Sequence, residues 1–177
     1  MTKASPQALV RCTWVSADPL YMRYHDEEWG VPLKTDRAIL EKLALEGFQA
    51  GLSWITILRK RENFRRAFDK FEPERVAQYG AKDIARLMAD EGIVRNRAKI
   101  EATIDNAKAY LKLRERTTLK KLLWSHLGED GPLQRAARAM GDIPAETEVS
   151  KRISKALKGE GFRFVGPTTV YAFMQSA

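Results

Sequence analysis

The chain has 177 residues, a length that corresponds to about one domain of roughly 150 residues and that suffices for a core without stabilising cross-links. Its single cysteine excludes an intramolecular disulfide and a zinc site built from cysteines alone, and no apolar run reaches the ~18 residues of a membrane span. The 31 Lys and Arg residues exceed the 23 Asp and Glu residues by a formal charge of +8, which makes a polyanion the first partner to consider.

The first half of the chain carries two amphipathic helical patterns behind an N-terminal segment. Residues 1–10 are predicted to be flexible and lack the apolar block of a secretory signal, so we expect a cytoplasmic protein. Apolar side chains recur at three- and four-residue steps within 36–51. Ser53 is then placed to cap a second helix over about 54–69.

The centre of the chain predicts two helices joined by a tight turn. A helical pattern over 82–88 ends before Gly92, which stands where a helix C-cap is expected. A second pattern starts within a few residues and keeps an apolar stripe through Leu111. We therefore expect a helix-hairpin-helix element over about 83–112.

The last third of the chain continues the helical pattern. Three further helices are predicted, over 118–126, 150–157 and 168–177. A Gly-, Asp- and Pro-rich loop is predicted at 128–132, and the best candidate for a strand is the short alternating run 162–165. The sequence contains no internal repeat, and we expect one all-α domain over 1–177 with about eight helices.

The positive charge is confined to the middle of the chain. Residues 58–121 contain 18 basic and 10 acidic residues, whereas residues 1–57 have a net charge of −1 and residues 122–177 a net charge of +1. Such a concentration favours one basic face that binds nucleic acid. An ordinary set of solvated helix faces is the alternative.

Glu46 is the first residue that the helical pattern does not explain. It lies seven residues after Ile39 and three after Leu43, on or beside the apolar face of its own helix. A desolvated carboxylate needs partners or a changed pKa, which makes Glu46 a candidate functional acid. The alternatives are a partly exposed edge position and a buried acid paired with an arginine.

Aromatic residues concentrate close to Glu46 in the sequence. Three of the four tryptophans precede residue 55, and Trp54 begins the helix that follows the helix of Glu46. Flat π-faces stack on nucleobases, and they attract cationic rings most strongly where water is excluded. These aromatics indicate a base-binding pocket, with filling of the core as the alternative for any one of them.

The turn after Gly92 combines a helix N-terminus with basic residues. Backbone N–H groups and the positive end of the helix dipole favour a phosphate at such a position, and Arg95, Arg97 and Lys99 add cationic side chains. The segment 92–99 therefore predicts a phosphate contact that supplies affinity without base readout. A glycine-capped turn without a ligand is the alternative.

Cys12 and His25 belong to the residue types that bind zinc. A closed tetrahedral zinc site needs four ligands, and the chain has no second cysteine and only one other histidine, His126. From the residues alone, a packed thiol and a hydrogen-bonded imidazole are expected. The sequence contains no P-loop, no dinucleotide-binding glycine run and no pattern typical of a Ser-His-Asp triad.

Several continuous strings carry a family resemblance. The longest are YHDEEWGVP at 24–32 and LEGFQAGLSW at 45–54. The others lie at 11–15, 18–21, 60–64, 92–100, 106–107, 154–158, 161–166 and 173–175. With these strings the chain closely resembles the 3-methyladenine DNA glycosylase I family over residues 11–177, with gaps.

The resemblance implies a two-lobed helical bundle with a helix-hairpin-helix DNA-binding element and a base pocket between the lobes. Such enzymes flip the damaged nucleotide out of double-stranded DNA and hydrolyse its N-glycosidic bond, which leaves an abasic site and free 3-methyladenine. The resemblance further implies a base-excision-repair enzyme that works at the nucleoid of a bacterial cytoplasm, and we expect a monomer.

The family pattern also assigns site residues to this chain. It implies that Glu46 is the catalytic residue and binds the edge of 3-methyladenine while Trp54 stacks on it. The rest of the base-binding wall would be formed by Trp14, Tyr21 and Tyr24. The DNA-binding residues would be Gly51 and Leu52 against the gap left by the flipped base, and Arg95, Arg97 and Lys99 at the phosphates.

Two positions depart from the family pattern. Family members carry a further histidine and cysteine that complete a zinc site with Cys12 and His25, and this sequence ends at Ala177 without them. We therefore expect either a truncated sequence or a member that does without structural zinc. In the turn, Val94-Arg95 stands where related hairpins often have a second glycine. Phosphate binding is therefore expected to depend less on the backbone N–H groups and more on the arginines.

The chemistry of the expected substrate agrees with one carboxylate. An N3-methylated adenine is cationic and leaves as a neutral base, so its release requires neither a strong general acid nor a second carboxylate nor a catalytic cofactor. An aromatic pocket with one carboxylate favours that cation over neutral adenine. Because no catalytic lysine is assigned, we expect no lyase activity. A non-catalytic helix-hairpin-helix DNA-binding module and a protein-interaction domain are the alternatives.

Overall fold

The computed structural model describes residues 10–128 and 140–177, and every regular element in these ranges is helical. The α-helices are α1 (Pro19–Glu27), α2 (Asp36–Gln49), α3 (Trp54–Ala67), α4 (Pro73–Val76), α5 (Ala81–Ala89), α6 (Arg97–Arg114), α7 (Leu119–Trp124), α8 (Glu148–Gly159) and α9 (Pro167–Ser176). The predicted all-α fold is confirmed. The predicted flexible segment 1–10 and loop 128–132 lie outside the described residues, apart from residues 10 and 128.

Helix α1 is the element that the periodicity does not predict. Its start has a local cause, because Pro19 occupies the first turn and the Asp18 carboxylate accepts hydrogen bonds from the amides of Leu20 at 2.8 Å and Tyr21 at 3.3 Å. Proline and an aspartate cap are both typical of a helix start. The Asp-Pro pair was therefore a usable signal for α1, which places Tyr21 and Tyr24 in the core.

The predicted strand at 162–165 is wrong, and none of the described residues forms a strand. The Asn106 side chain takes the place of a strand neighbour, since it accepts a hydrogen bond from Arg163 N at 2.7 Å and donates one to Arg163 O at 3.1 Å. Phe164 follows with a φ of 55°, in the left-handed region, which interrupts the extended alternation.

Two buried apolar clusters divide the described residues into two lobes. One contains the rings of Phe48, Phe64 and Phe68, and the other lies around Leu119 and Leu157. Helices α2 and α6 contribute residues to both clusters and so join the lobes. No helix of the described segments has the length and apolar character needed to cross a membrane.

Candidate active site and DNA-binding surface

Glu46 lies near the end of α2 and is 5% exposed. Its Oε1 accepts a hydrogen bond from Ser176 Oγ on α9 at 3.2 Å and lies 3.0 Å from Lys42 Nζ, one helical turn earlier. The predicted position on the buried face of the helix is confirmed. The cation that pairs with the carboxylate is a lysine and not the arginine considered above.

The aromatic residues predicted to form a wall lie in two sets of rings within one apolar cluster. The ring centroids of Trp14 and Tyr21 are 5.1 Å apart, and those of Tyr24 and Trp54 are 5.5 Å apart. Trp29 extends the first set, with its ring 5.6 Å from that of Trp14. Tyr24 and Trp54 contact Lys42, the cation that pairs with the Glu46 carboxylate of α2.

Lys42 is the functional-site residue that sequence reasoning missed. Its Nζ donates a hydrogen bond to Tyr24 Oη at 2.8 Å and lies 3.7 Å from the centroid of the Trp54 ring. A helical lysine is normally expected in solvent, yet Lys42 is 9% exposed. The available signal was its position four residues before Glu46, the spacing at which helical side chains meet.

Burial determines the protonation of this cluster. It raises the pKa of the Tyr24 phenol, and the carboxylates of Glu46 and Glu28 raise it further. The Tyr24 hydroxyl is therefore neutral at physiological pH. Burial lowers the pKa of the Lys42 ammonium, while the Glu46 carboxylate acts in the opposite direction.

A second ion pair supports the cluster from outside. Arg61 on α3 binds the carboxylate of Glu28 with two hydrogen bonds, of 2.5 and 2.9 Å. Burial raises the pKa of Glu28, but the hydrogen bonds from Arg61 together with the positive charges of Arg61, Arg65 and Lys42 hold it below its ordinary value. Because Glu28 follows α1 directly, this pair fixes α1, with its two tyrosines, against α3.

Trp54 presents a further polar group at the site. Its indole Nε1 is a buried side-chain nitrogen without a hydrogen-bond partner among the described residues. A buried N–H without a partner is costly and is a common feature of binding sites before the ligand arrives. The cluster as a whole combines buried aromatic faces with one buried carboxylate, which favours a flat cationic ring over a neutral one.

Gly51 and Leu52 form the turn between α2 and α3. Gly51 has a φ of 85°, which favours glycine, and the Leu52 amide donates a hydrogen bond to Gln49 O at 2.6 Å. The Leu52 side chain is 43% exposed, which is unusual for a large apolar residue in this chain. The turn thus presents an apolar side chain to solvent a few residues after Glu46.

Lys99 differs from its predicted role as a phosphate ligand. Its Nζ donates hydrogen bonds to Phe48 O at 3.0 Å and to Ala50 O at 2.7 Å, and the residue is 8% exposed. These carbonyls belong to the C-terminus of α2, where helical carbonyls lack intrahelical partners. Lys99 therefore ties α6 to the end of α2 and positions the turn that carries Leu52.

The hairpin between α5 and α6 leaves Arg95 and Arg97 exposed. Their side chains are 51% and 62% exposed, and among the described residues each has one charged partner, a glutamate at 3.6 Å from Arg95 and at 3.4 Å from Arg97. Asn96 caps α6 by accepting a hydrogen bond from the Lys99 amide at 3.1 Å. The helix N-terminus and both arginines lie together, as the sequence predicts for an anion-binding surface.

Gly92 has a different role from the predicted helix C-cap. Helix α5 ends with Asp90 as its C-cap, and the Gly92 amide donates a hydrogen bond to Asp90 Oδ1 at 2.8 Å. A Cβ at Gly92 would lie 2.9 Å from that oxygen and 3.1 Å from the Asn63 side chain. These short distances favour glycine at position 92. The Asn63 side chain of α3 comes this close because it donates a hydrogen bond to the Gly92 carbonyl at 3.1 Å.

Cys12 and His25 adjoin each other, but the described residues do not complete a zinc site. The Cys12 amide donates a hydrogen bond to His25 Nε2 at 3.4 Å, and His25 Nδ1 lies 2.9 Å from Asp26 Oδ1. No group of three or more His, Cys, Asp or Glu residues within 10–128 and 140–177 is arranged to bind a metal. Structural zinc needs four ligands, so we derive no step of the chemistry through it.

Known proteins that are similar to this chain in sequence and fold share one activity. The profile of the methyladenine glycosylase family matches residues 14–177. DNA-3-methyladenine glycosylase 1 of Escherichia coli (strain K12) is 48% identical over 167 residues, which cover 94% of this chain and 89% of that protein.

Solved structures agree with the sequence comparison. A crystal structure of 3-methyladenine DNA glycosylase I is 47% identical, with a TM-score of 0.90 over 94% of this chain and 92% of the other. A variant of 3-methyladenine DNA glycosylase I in complex with 3-methyladenine is 41% identical, with a TM-score of 0.88 over 94% and 90% of the two chains. The chain belongs to the methyladenine glycosylase family.

Proposed function

We propose that this protein is a base-excision-repair glycosylase that releases 3-methyladenine from alkylated double-stranded DNA. The observation that carries the proposal is the buried carboxylate of Glu46 beside the rings of Tyr24 and Trp54. A carboxylate between π-faces favours a flat cation, and N3-methylated adenine in DNA is such a cation. The relatives named above act on the same base.

The chemistry follows from the charge of the flipped base. Cleavage of the bond between the base nitrogen and C1′ returns the bonding electrons to the ring, and the base leaves neutral. Water adds its oxygen to C1′ and loses a proton, which leaves an abasic site. We assign Glu46 to the edge of the base and to stabilisation of positive charge that spreads toward the sugar as the bond breaks.

The DNA surface is proposed to extend from the pocket to the hairpin. The exposed Leu52 side chain would fill the gap left in the duplex, as apolar wedges do in other proteins that distort DNA. Arg95, Arg97 and the N-terminus of α6 would bind phosphates without reading sequence. We propose that the protein acts on DNA as a monomer at the nucleoid in the cytoplasm.

We propose that the enzyme does not cleave the DNA strand, although the site contains a lysine. A lyase needs a neutral amine that attacks C1′, and no lysine of the chain is assigned that role. No bound cofactor is needed for the release of a base that is already cationic. Borohydride treatment during turnover should trap no protein–DNA adduct, and a trapped adduct would identify a lyase.

The test of the function is release of labelled 3-methyladenine from methylated duplex DNA. We expect the wild-type protein to release the base, and Glu46→Gln to lower the single-turnover rate by about 10²-fold or more because it removes the charge facing the cation. Glu115→Gln makes the same chemical change at an exposed position of the chain and should keep full activity.

The same assay decides between the two candidate functions. A wild-type protein that binds duplex DNA but releases no methylated base would be a DNA-binding module, as the hairpin and the basic middle segment alone would predict. Full activity of Glu46→Gln would remove Glu46 from the site while leaving the proposed activity in place.

A further inference from the structure

The Lys42 ammonium occupies the contacts that a cationic base would need. Its Nζ lies 3.7 Å from the centroid of the Trp54 ring, 3.0 Å from Glu46 Oε1 and 2.8 Å from Tyr24 Oη. Its side chain is 11% exposed, so these contacts replace water almost completely. In the free protein, the Lys42 ammonium thus already contacts the Trp54 face and Glu46 Oε1.

We propose that Lys42 is an internal competitor that fills the base site of the free protein and leaves it when a methylated base binds. The inference rests on the proposed function, because that function assigns Trp54 and Glu46 to the base. The inference adds Lys42 as a residue that sets the affinity for the methylated base and the rate of product release.

Electrostatics and space exclude simultaneous occupation. Two cations that shared Glu46 Oε1 and the Trp54 face would lie within a few ångströms of each other and would repel each other strongly in this buried position. The lysine stem is unbranched and flexible, which allows the ammonium to swing into water. Binding of a base therefore requires the open form, and the apparent Kd rises by the reciprocal of the open fraction.

The competition changes when the glycosidic bond breaks. Before cleavage the base is a cation and replaces the ammonium in its ion pair with Glu46 and in its contact with Trp54. After cleavage the base is neutral and loses the charge-dependent part of both contacts, whereas the Lys42 ammonium retains it. Lys42 therefore competes better with the product than with the substrate and promotes release of the excised base.

The experiment compares wild type with Lys42→Met, which has a similar unbranched length without the charge. Calorimetric titration with free 3-methyladenine should give a Kd lower by roughly tenfold in Lys42→Met, the value for an open fraction of about one tenth. Steady-state turnover should fall through product retention. Lys34→Met removes an exposed lysine and should match wild type in both measurements.

Lys42→Met leaves the buried Glu46 carboxylate without its cation, and a second variant controls for this effect. Lys42→Gln removes the charge but can still donate a hydrogen bond to Glu46, and it should also bind the free base more tightly than wild type does. Unchanged or weaker binding in both folded variants would overturn the inference. Absence of binding in wild type and in both variants would instead overturn the proposed function, and this inference with it.

Accessibility of the amine in the wild-type protein gives an independent measurement. Reductive methylation followed by peptide mass spectrometry should modify Lys42 slowly in the free protein and faster with saturating 3-methyladenine, because the base displaces the ammonium into water. Continued protection of Lys42 in the complex would show that it stays beside the base, and would contradict the competitor.

Discussion

At the scale of single residues, the proposed role of Trp54 concerns recognition of the base and not attachment to DNA. Its ring lies against Tyr24 and Lys42 in the buried cluster, while the residues proposed to bind phosphates lie on the hairpin. Loss of the Trp54 ring should therefore weaken binding of the free base and leave binding of duplex DNA unchanged.

We predict that Trp54→Ala weakens binding of free 3-methyladenine by about 1–3 kcal/mol, the usual contribution of a stacking platform. Affinity for undamaged duplex DNA should stay within twofold. Calorimetry measures the first and fluorescence anisotropy of labelled DNA the second. Trp124→Ala, which removes a half-buried tryptophan on α7, is the matched control, and an equal loss of both affinities in Trp54→Ala would contradict the stacking role.

The residues of the site differ in how far the sequence predicts them. Glu46 is predictable because a carboxylate on an apolar helical face violates the amphipathic pattern. The pairing of Lys42 with Glu46 follows from their spacing of four residues on one helix. The burial of Lys42 and the contact of Ser176 with Glu46 are not predictable, because they depend on how α1, α3 and α9 pack around α2.

At the scale of elements, the end of α2 and the start of α6 form one unit through Lys99. Two main-chain carbonyls of α2 accept hydrogen bonds from its ammonium. The charge pattern of the sequence favours Lys99 as a phosphate ligand, because a basic residue in the first turn of a helix is normally exposed. Burial of the first turn of α6 against α2 is a tertiary effect and reverses that assignment.

We predict that Lys99→Met lowers the stability of the protein by about 1–3 kcal/mol, the cost of leaving buried polar groups without partners. The corresponding decrease in Tm is roughly 2–4 °C for each kcal/mol in a chain of this size. Thermal denaturation followed by circular dichroism measures it, with the exposed Lys108→Met as control. Equal stability of the two variants, together with weaker DNA binding by Lys99→Met, would restore Lys99 as a phosphate ligand.

At the scale of the whole molecule, the positive charge and the proposed base site lie in different segments. The net charge of +8 is carried by residues 58–121, which include most of α3 and the hairpin, while the segment with Glu46 has a net charge of −1. Under the proposed function, long-range attraction to DNA and recognition of the base would therefore rest on separate groups of side chains. The two should respond to salt independently.

We predict that Arg95→Ala and Arg97→Ala each reduce the slope of log affinity against log salt by about one for duplex DNA, the value for one lost phosphate contact. Binding of free 3-methyladenine should not change in either variant. Anisotropy titrations across a salt series measure the slope, and Lys112→Ala at the far end of α6 is the control. An unchanged slope in both arginine variants would place the DNA on another face.

The contact between Ser176 and Glu46 has a consequence for the order in which the molecule folds. The two residues are 130 positions apart, whereas the contacts of the hairpin with α3 and with the end of α2 span 29 to 51 positions. Contacts between distant parts of a chain carry a larger entropic cost of loop closure and form late in folding. We expect the hairpin to acquire its shape early and the base site to be completed last, so a partly folded chain would bind DNA before it could recognise damage.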